Sequence, residues 1–305
     1  MRFTFLGTGT SAGIPTIGCD CAVCHSDDPR DNRLRTSACL EWTDPQGKPR
    51  VLLIDAGPDL RQQALRAQLT RCDAILFTHN HVDHTFGLDE VRRFNVTMQA
   101  PIDIWAEPRT MDALRRVYAH IFDRQNNVND SFVATLIPRT LEPEVSIELW
   151  GLRVTPIRLL HGRLPVLGFR FDFADETQRA FSDERPSSDE VGSLLPLAYC
   201  TDVSAIPPET WPRLTDLNTL VLDALRPRKH PTHFTVGQAV SVAHEVDAAR
   251  SWFVHMSHEV RHAETDPELP ETMNLAFDGL VLNSRGLPAD SGGDLTSNTP
   301  DRPPI

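Results

Sequence analysis

Three imidazoles and one carboxylate fall within the six residues His79-Asn80-His81-Val82-Asp83-His84, directly after the apolar run Ala74-Ile75-Leu76-Phe77. Imidazole and carboxylate together suit zinc, manganese or iron. Four ligands packed so closely cannot all reach one ion in a relaxed geometry. They can divide between two neighbouring ions, the arrangement used for metal-assisted hydrolysis. A polar cluster at the end of a buried strand is otherwise costly, because unpaired groups there lose their water. The pattern returns along the chain. Apolar runs precede His161, Asp202, Asp223 and His255 in turn. His161, followed by Gly162, is a further candidate ligand. Asp202 has two oxygens and can bridge two ions. His255 and His258 stand three apart and can face different sites.

A second cluster, Cys19-Asp20-Cys21-Ala22-Val23-Cys24, reads C-x-C-x-x-C. Three thiols at this spacing can bind one zinc ion from a single loop, but a fourth ligand is needed and no fourth cysteine is near. The competing reading is three reduced surface thiols. Asp55 follows the apolar run 51–54 and either orients a metal-bound histidine or caps a turn. Residues 7–13, Gly-Thr-Gly-Thr-Ser-Ala-Gly, invite a phosphate-loop reading, but the lysine and the following helix are missing, which favours a tight turn. The segment Arg226-Pro227-Arg228-Lys229-His230-Pro231-Thr232-His233 is the one dense basic patch in an acidic chain. Alone it would read as a solvated loop. Ahead of a helix starting near Thr235, and beside a dimetal candidate, it favours phosphate binding, with Arg163 and Thr235 as substrate contacts.

These residues need elements to hold them. Alternation predicts strands over 2–6, 36–42, 51–54, 102–105, 166–173, 197–200, 219–222, 252–254 and 275–282, and a hairpin over 145–149 and 152–160. Helical periodicity covers 58–69, 84–95, 108–122 and the stretch after Thr235. His120 lies off the apolar stripe of its helix. Residues 182–194 read as a surface loop, and 285–305 as a disordered tail following a domain over 1–284. No internal repeat is visible. Buried strands that end in Asp or His, with helices between them, make a layered α/β design with its site along one edge of the sheets.

The totals set limits. With 305 residues and 40% hydrophobic content the chain can form one large domain or two small ones. A net charge of -12 excludes a global basic field for nucleic acid. An anionic substrate would be drawn by local charge, which bound metal ions supply. No apolar run has the length of a membrane span, and the first residues are too short and strand-like for a signal peptide. Six cysteines, three clustered and three scattered, suit a metal site more than a disulfide framework, so a cytoplasmic location is expected.

The H-x-H-x-D-H motif at His79 to His84, followed in order by His161, Asp202 and His255, resembles the metallo-β-lactamase superfamily. The resemblance covers residue 2 to about residue 282. It implies a four-layer αβ/βα sandwich. The start of the chain, Gly7 to Pro15 with the three-cysteine loop, resembles more narrowly the phosphodiesterases of phosphonate breakdown that hydrolyse phosphoribosyl 1,2-cyclic phosphate. That resemblance implies a structural zinc on Cys19, Cys21, Cys24 and His258. It also implies that His79, His81 and His161 hold one catalytic divalent ion (manganese or zinc), that Asp83, His84 and His255 hold the other, and that Asp202 bridges them. Asp83 is thereby part of the catalytic set, and His233, 22 residues before His255, becomes the general acid that protonates the departing oxygen. A small cyclic or diester phosphate is the implied substrate and a homodimer the implied assembly. Two other readings stay open. A tRNA 3′-processing nuclease of the same superfamily would need a basic arm, and none is visible. A non-catalytic zinc-loop accessory protein would be expected to lack catalytic ligands, and all seven positions are filled here.

Overall fold

In the computed structural model, which describes residues 1–123, 132–174 and 193–283, two seven-stranded sheets are stacked face to face. The first runs β14-β1-β2-β3-β4-β5-β6. Its strands are β1 Arg2–Gly7, β2 Ser37–Thr43, β3 Pro49–Ile54, β4 Ala74–Leu76, β5 Ile102–Ala106, β6 Leu136–Thr140 and β14 Val281–Asn283. The second runs β13-β12-β11-β10-β9-β8-β7. It comprises β7 Ile147–Leu149, β8 Leu152–His161, β9 Leu164–Phe173, β10 Leu197–Cys200, β11 Thr219–Asp223, β12 Arg250–Val254 and β13 Met273–Leu275.

Strand alternation explains the layers. Phe3, Phe5, Leu40 and Leu52 of the first sheet meet Phe169, Phe171, Tyr199 and Val254 of the second in a core between the sheets. Each such side chain contributes about 1.5–3 kcal/mol by leaving water. The opposite face of the first sheet, with Cys39, Leu53 and Ile75, is covered by helices α1 Leu60–Arg66, α3 Arg92–Met98 and α4 Pro108–Val117. The outer face of the second, with Leu220, Leu222 and Phe253, is covered by a helix Val236–Val246, here α6. Two helical layers outside two sheets make the αβ/βα sandwich.

The two sheets share one pairing pattern. From β14 inward the first has three antiparallel pairs and then three parallel ones. From β7 inward the second repeats that order. The sequence shows no repeat because strand pairing is made by backbone, which many alternating sequences satisfy. Ligands to such sheets gather outside the carboxyl ends of the parallel strands, and both sheets present those ends to the same site.

Several element boundaries differ from expectation. The stretch 84–95 is three short turns, α2 Val82–Thr85, a 3-10 turn Leu88–Val91 and α3. The helix at 108–122 breaks at Tyr118, whose hydroxyl donates to Thr85 O at 2.9 Å, and resumes as α5 Ala119–Phe122. The last strand is two strands, β13 in one sheet and β14 in the other. Between them the buried Asp278 carboxylate accepts from Thr8 N, Thr8 Oγ1 and Leu34 N, each at 2.8 Å, pulling the chain across from sheet to sheet. Strand β6 had no clear alternation to announce it. The tail at 285–305 and all but the last two residues of the 182–194 loop lie outside the described residues. Among the described residues no helix is long and apolar enough to cross a membrane.

Candidate metal centre

Where β3 ends, Asp55 takes a left-handed φ of 61° and turns the chain beneath the His79–His84 segment. Ala56 N donates to His84 O at 2.8 Å. A Cβ on Gly57 would sit 2.0 Å from Asp83 O, so only glycine lets the two loops lie this close. Asp55 does both jobs open to it. Its Oδ1 accepts from Thr78 N at 2.8 Å, holding the turn, and its Oδ2 accepts from His84 Nδ1 at 2.7 Å.

The hydrogen bonds fix which nitrogen each histidine turns inward. The Thr78 hydroxyl donates to Asp55 Oδ2 at 2.8 Å, so it accepts from His79 Nδ1 at 2.9 Å. His161 Nδ1 donates to Thr232 O at 2.8 Å. With Nδ1 committed to these hydrogen bonds, Nε2 of His79, His84 and His161 is the nitrogen left to face a metal ion. The Nε2 atoms of His79, His84 and His255 are buried without a hydrogen-bond partner.

Two groups result, each with ligand atoms within 4.8 Å of one another: His79, His81 and His161, and Asp83, His84, Asp202 and His255. Asp202 also falls within that distance of His161 and His233, so it touches both sides of the site. Its Oδ2 lies 3.2 Å from His84 Nε2 and its Oδ1 3.3 Å from His255 Nε2. Like Asp55, Asp202 and His255 adopt left-handed φ, 57° and 61°, each just beyond a strand end. Burial opposes charge on His84, yet the carboxylates of Asp202, Asp55 and Asp83 hold its imidazolium well above the usual range. Burial opposes it on His255 too, where Asp202 and Asp83 raise it to about 9. His79, buried and beside His84, is pushed well below. A buried cluster whose carboxylates favour positive charge in this way is built to hold cations, and its nitrogen and oxygen donors fit zinc or manganese.

A third group joins distant parts of the chain. His258 Nδ1 lies 3.1, 3.5 and 3.7 Å from the sulfurs of Cys19, Cys21 and Cys24. Ligands on one tetrahedral zinc at ordinary Zn–N and Zn–S lengths stand about 3.5 Å apart, so the four donors fit that ion. Thr16 N also points at Cys24 Sγ, 3.3 Å away. The Gly-rich segment 7–13 is a structural turn. Thr10 N donates to Met256 O and Met256 N to Thr8 O, both at 3.0 Å, stitching this turn to the one that bears His255 and His258.

His233 stands against both metal-ligating groups, its ring 4.5 Å from that of His161 and 4.6 Å from that of His255. Its Nδ1 donates to Asp223 Oδ2 at 2.6 Å. Sequence reasoning gave Asp223 no role, although its place after a buried strand matched Asp55 and Asp202. The Thr232 carbonyl that orients His161 left no sequence signal, because any residue could supply it.

Beside His233 lies a cavity of about 480 Å³ whose lining includes Arg163, Ser204, Lys229, His230 and Gln238. Arg163, one of the two proposed substrate contacts, is among these lining residues. Thr235 lies elsewhere: it is absent from this lining, and its hydroxyl caps α6 by accepting from Gln238 N at 3.1 Å. The basic patch is smaller than its sequence implies, because Arg226 and Arg228 both pair with Glu259, at 3.1 and 2.9 Å. His120 is exposed on its helix, away from the site, 3.4 Å from Asp89.

Comparison with known proteins accords with this geometry. The family model for the β-lactamase superfamily domain matches residues 50–256. A protein whose crystal structure is described as a new diphosphatase from the PhnP family is 38% identical, with a TM-score of 0.77 over 92% of this chain and 97% of that one. The octanoyltransferase of Porphyromonas gingivalis is 34% identical over 94% of this chain, but the chain spans only 53% of that longer relative. Coenzyme PQQ synthesis protein B of Methylobacterium nodulans is 29% identical over 73% of this chain and 72% of its own length. Human short-form tRNase Z, 20% identical with a TM-score of 0.63 over 93% of this chain and 99% of that one, shares the fold. With two facing sheets, clustered metal-ligand side chains at their shared edge and the family match across most of the chain, this protein belongs to the β-lactamase superfamily and has the metallo-β-lactamase fold.

Proposed function

We propose that the protein is a dinuclear metal-dependent phosphodiesterase acting on a small cyclic or diester phosphate, with phosphoribosyl 1,2-cyclic phosphate as a fitting example. The observation that carries this reading is His233. It is an imidazole outside the two ligand groups, in ring contact with a member of each, and its Nδ1 proton is held by a buried carboxylate. In this reading His79, His81 and His161 hold one ion, Asp83, His84 and His255 the other, and Asp202 lies between. When bound, divalent ions supply a hydroxide nucleophile near neutral pH and offset charge developing at phosphorus. The chain's own residues do the rest. His233 protonates the leaving oxygen from Nε2, while Asp223 stabilises the charged imidazole and fixes its plane. Arg163 and Lys229 give the neighbouring cavity the charge to hold a second phosphate, and His230 lines it.

The test is turnover of an aryl phosphodiester by protein loaded with manganese. The wild type hydrolyses it. His233→Ala loses about 10²–10⁴-fold on a substrate with a poor leaving group and much less on an activated one. No turnover, or full activity of that variant on the poor leaving group, sinks the proposal. The diphosphatase relative favours adding a diphosphate to the panel, since an anhydride is also cleaved at phosphorus. Precursor tRNA tests the nuclease alternative. Acyl transfer through a thiol of this chain is disfavoured. Cys39, Cys72 and Cys200 are buried, and burial pushes all three thiols up, Cys39 and Cys200 to about 12. The other three cysteines surround His258. Metal content of about three ions per chain separates the enzyme from an accessory protein holding about one. The six free cysteines suit a cytoplasmic location, and the mass in solution tests the homodimer that the resemblance implies.

A further inference from the structure

The turn after β12 carries two donors to two different centres. His255 enters the catalytic cluster and His258 the thiolate group, with Met256 and Ser257 between them. The N–H and C=O groups of both Met256 and Ser257 are held. Met256 is bonded to Thr8 and Thr10, and Ser257 N donates to Leu225 O at 2.8 Å. The Ser257 carbonyl accepts from Val260 N at 3.1 Å and from Arg33 Nη1 at 3.2 Å.

Arg33 is an unusual partner for a backbone oxygen. Its side chain has a relative exposure of 0%. Its Nη2 bonds Asp31 Oδ1 at 2.9 Å, and the same oxygen accepts from His262 N at 2.8 Å, at the start of a short helix His262–Thr265. Arg33 and Asp31 lie just beyond the cysteine loop, and Arg33 is bridged to Ile14 through backbone bonds of 2.8 and 2.9 Å. Arg33 thus joins two segments: its backbone pairs with Ile14 ahead of the cysteine loop, and its guanidinium holds the turn that supplies the imidazole facing the three sulfurs. A buried ion pair is weak evidence for stability, since hydrophobic replacements are often as stable; it is better explained by what it positions. The fork of an arginine can hold a carboxylate and a carbonyl at once, which a lysine does not reproduce.

We propose that Arg33, held by Asp31, is a positioning residue. It sets the Ser257 carbonyl and thereby fixes His255 and His258 relative to each other, coupling the thiolate centre to the catalytic centre. The inference rests on the assignment of those two histidines as ligands. Loss of outer contacts of this kind costs a metal site about 10–100-fold in affinity.

The experiment uses the full chain with cobalt(II) in place of the native ions. Thiolate-to-cobalt absorption reports the Cys19–Cys21–Cys24–His258 site, and weaker visible bands report the imidazole and carboxylate sites. Arg33→Met is expected to weaken cobalt binding at the catalytic sites by about 10–100-fold and to shift the thiolate band, although no ligand has changed. Arg33→Lys should recover only part of either effect. Asp31→Asn, which keeps the side-chain shape and loosens the arginine, should move both readouts in the same direction and decides the matter if Arg33→Met does not fold. Variants that melt earlier yet bind cobalt like the wild type, with an unshifted thiolate band, would overturn the coupling. A wild-type protein that bound no cobalt at either centre would instead overturn the ligand assignment.

Discussion

Asp223 and His233 are joined by a 2.6 Å hydrogen bond from Nδ1 to Oδ2, and the same carboxylate oxygen accepts from Val203 N at 2.9 Å. The carboxylate is buried and tied to backbone, so the imidazole it holds has one orientation and one tautomer. Asp223→Asn removes the charge while keeping the shape. We expect kcat to fall by about 10²-fold or more on a substrate with a poor leaving group, with KM little changed and metal content intact. Steady-state kinetics on a series of leaving groups checks this. A uniform loss across the series would point to misplacement of the site instead.

Asp55→Asn should act on the metal and not on proton transfer. His84 would lose the carboxylate that fixes its Nδ1 proton, and affinity for a catalytic ion should fall about 10–100-fold. Competition with a chelator measures it. Activity restored at high metal concentration is the expected signature.

Cys21→Ser leaves three donors in the His258 group. We expect one zinc fewer per chain, earlier proteolysis within residues 14–33, and a melting temperature lower by about 2–4 °C for each kcal/mol lost. Elemental analysis and limited proteolysis read the two effects separately.

Gly57→Ala places a methyl 2.0 Å from Asp83 O, a backbone atom that cannot swing away. We expect a loss of about 1–3 kcal/mol from overpacking, together with a lower affinity for the ion on the Asp83 side. Denaturant unfolding of the metal-free protein isolates the first effect.

Among the helices, legibility in the sequence stopped where tertiary contact overrode periodicity. The 108–122 stripe breaks at Tyr118 because its hydroxyl reaches Thr85 on another element. The 275–282 strand splits because Asp278 ties the chain leaving β13 to Thr8 and Leu34, beside β1 and β2 of the other sheet. Thr235 could be read from sequence as a phosphate contact or as a helix cap, and the structure shows the capping bond. The basic patch holds five cations and imidazoles in sequence, but Glu259, more than 25 residues further on, engages Arg226 and Arg228 and offsets one of their two charges.

By itself the sequence determined the ligand types, their order and their place after buried strands, since those depend on residue identity and local periodicity. It also placed a three-thiol loop and an imidazole of matching spacing far from it. The tertiary structure brought together the groups that the resemblance had implied, and it alone decided which nitrogen of each histidine faces inward and which carboxylate holds His233. Those are matters of distance between segments far apart in sequence, and of hydrogen bonds to atoms as anonymous as the Thr232 carbonyl. Such relations exist only once the two sheets have closed on their common core.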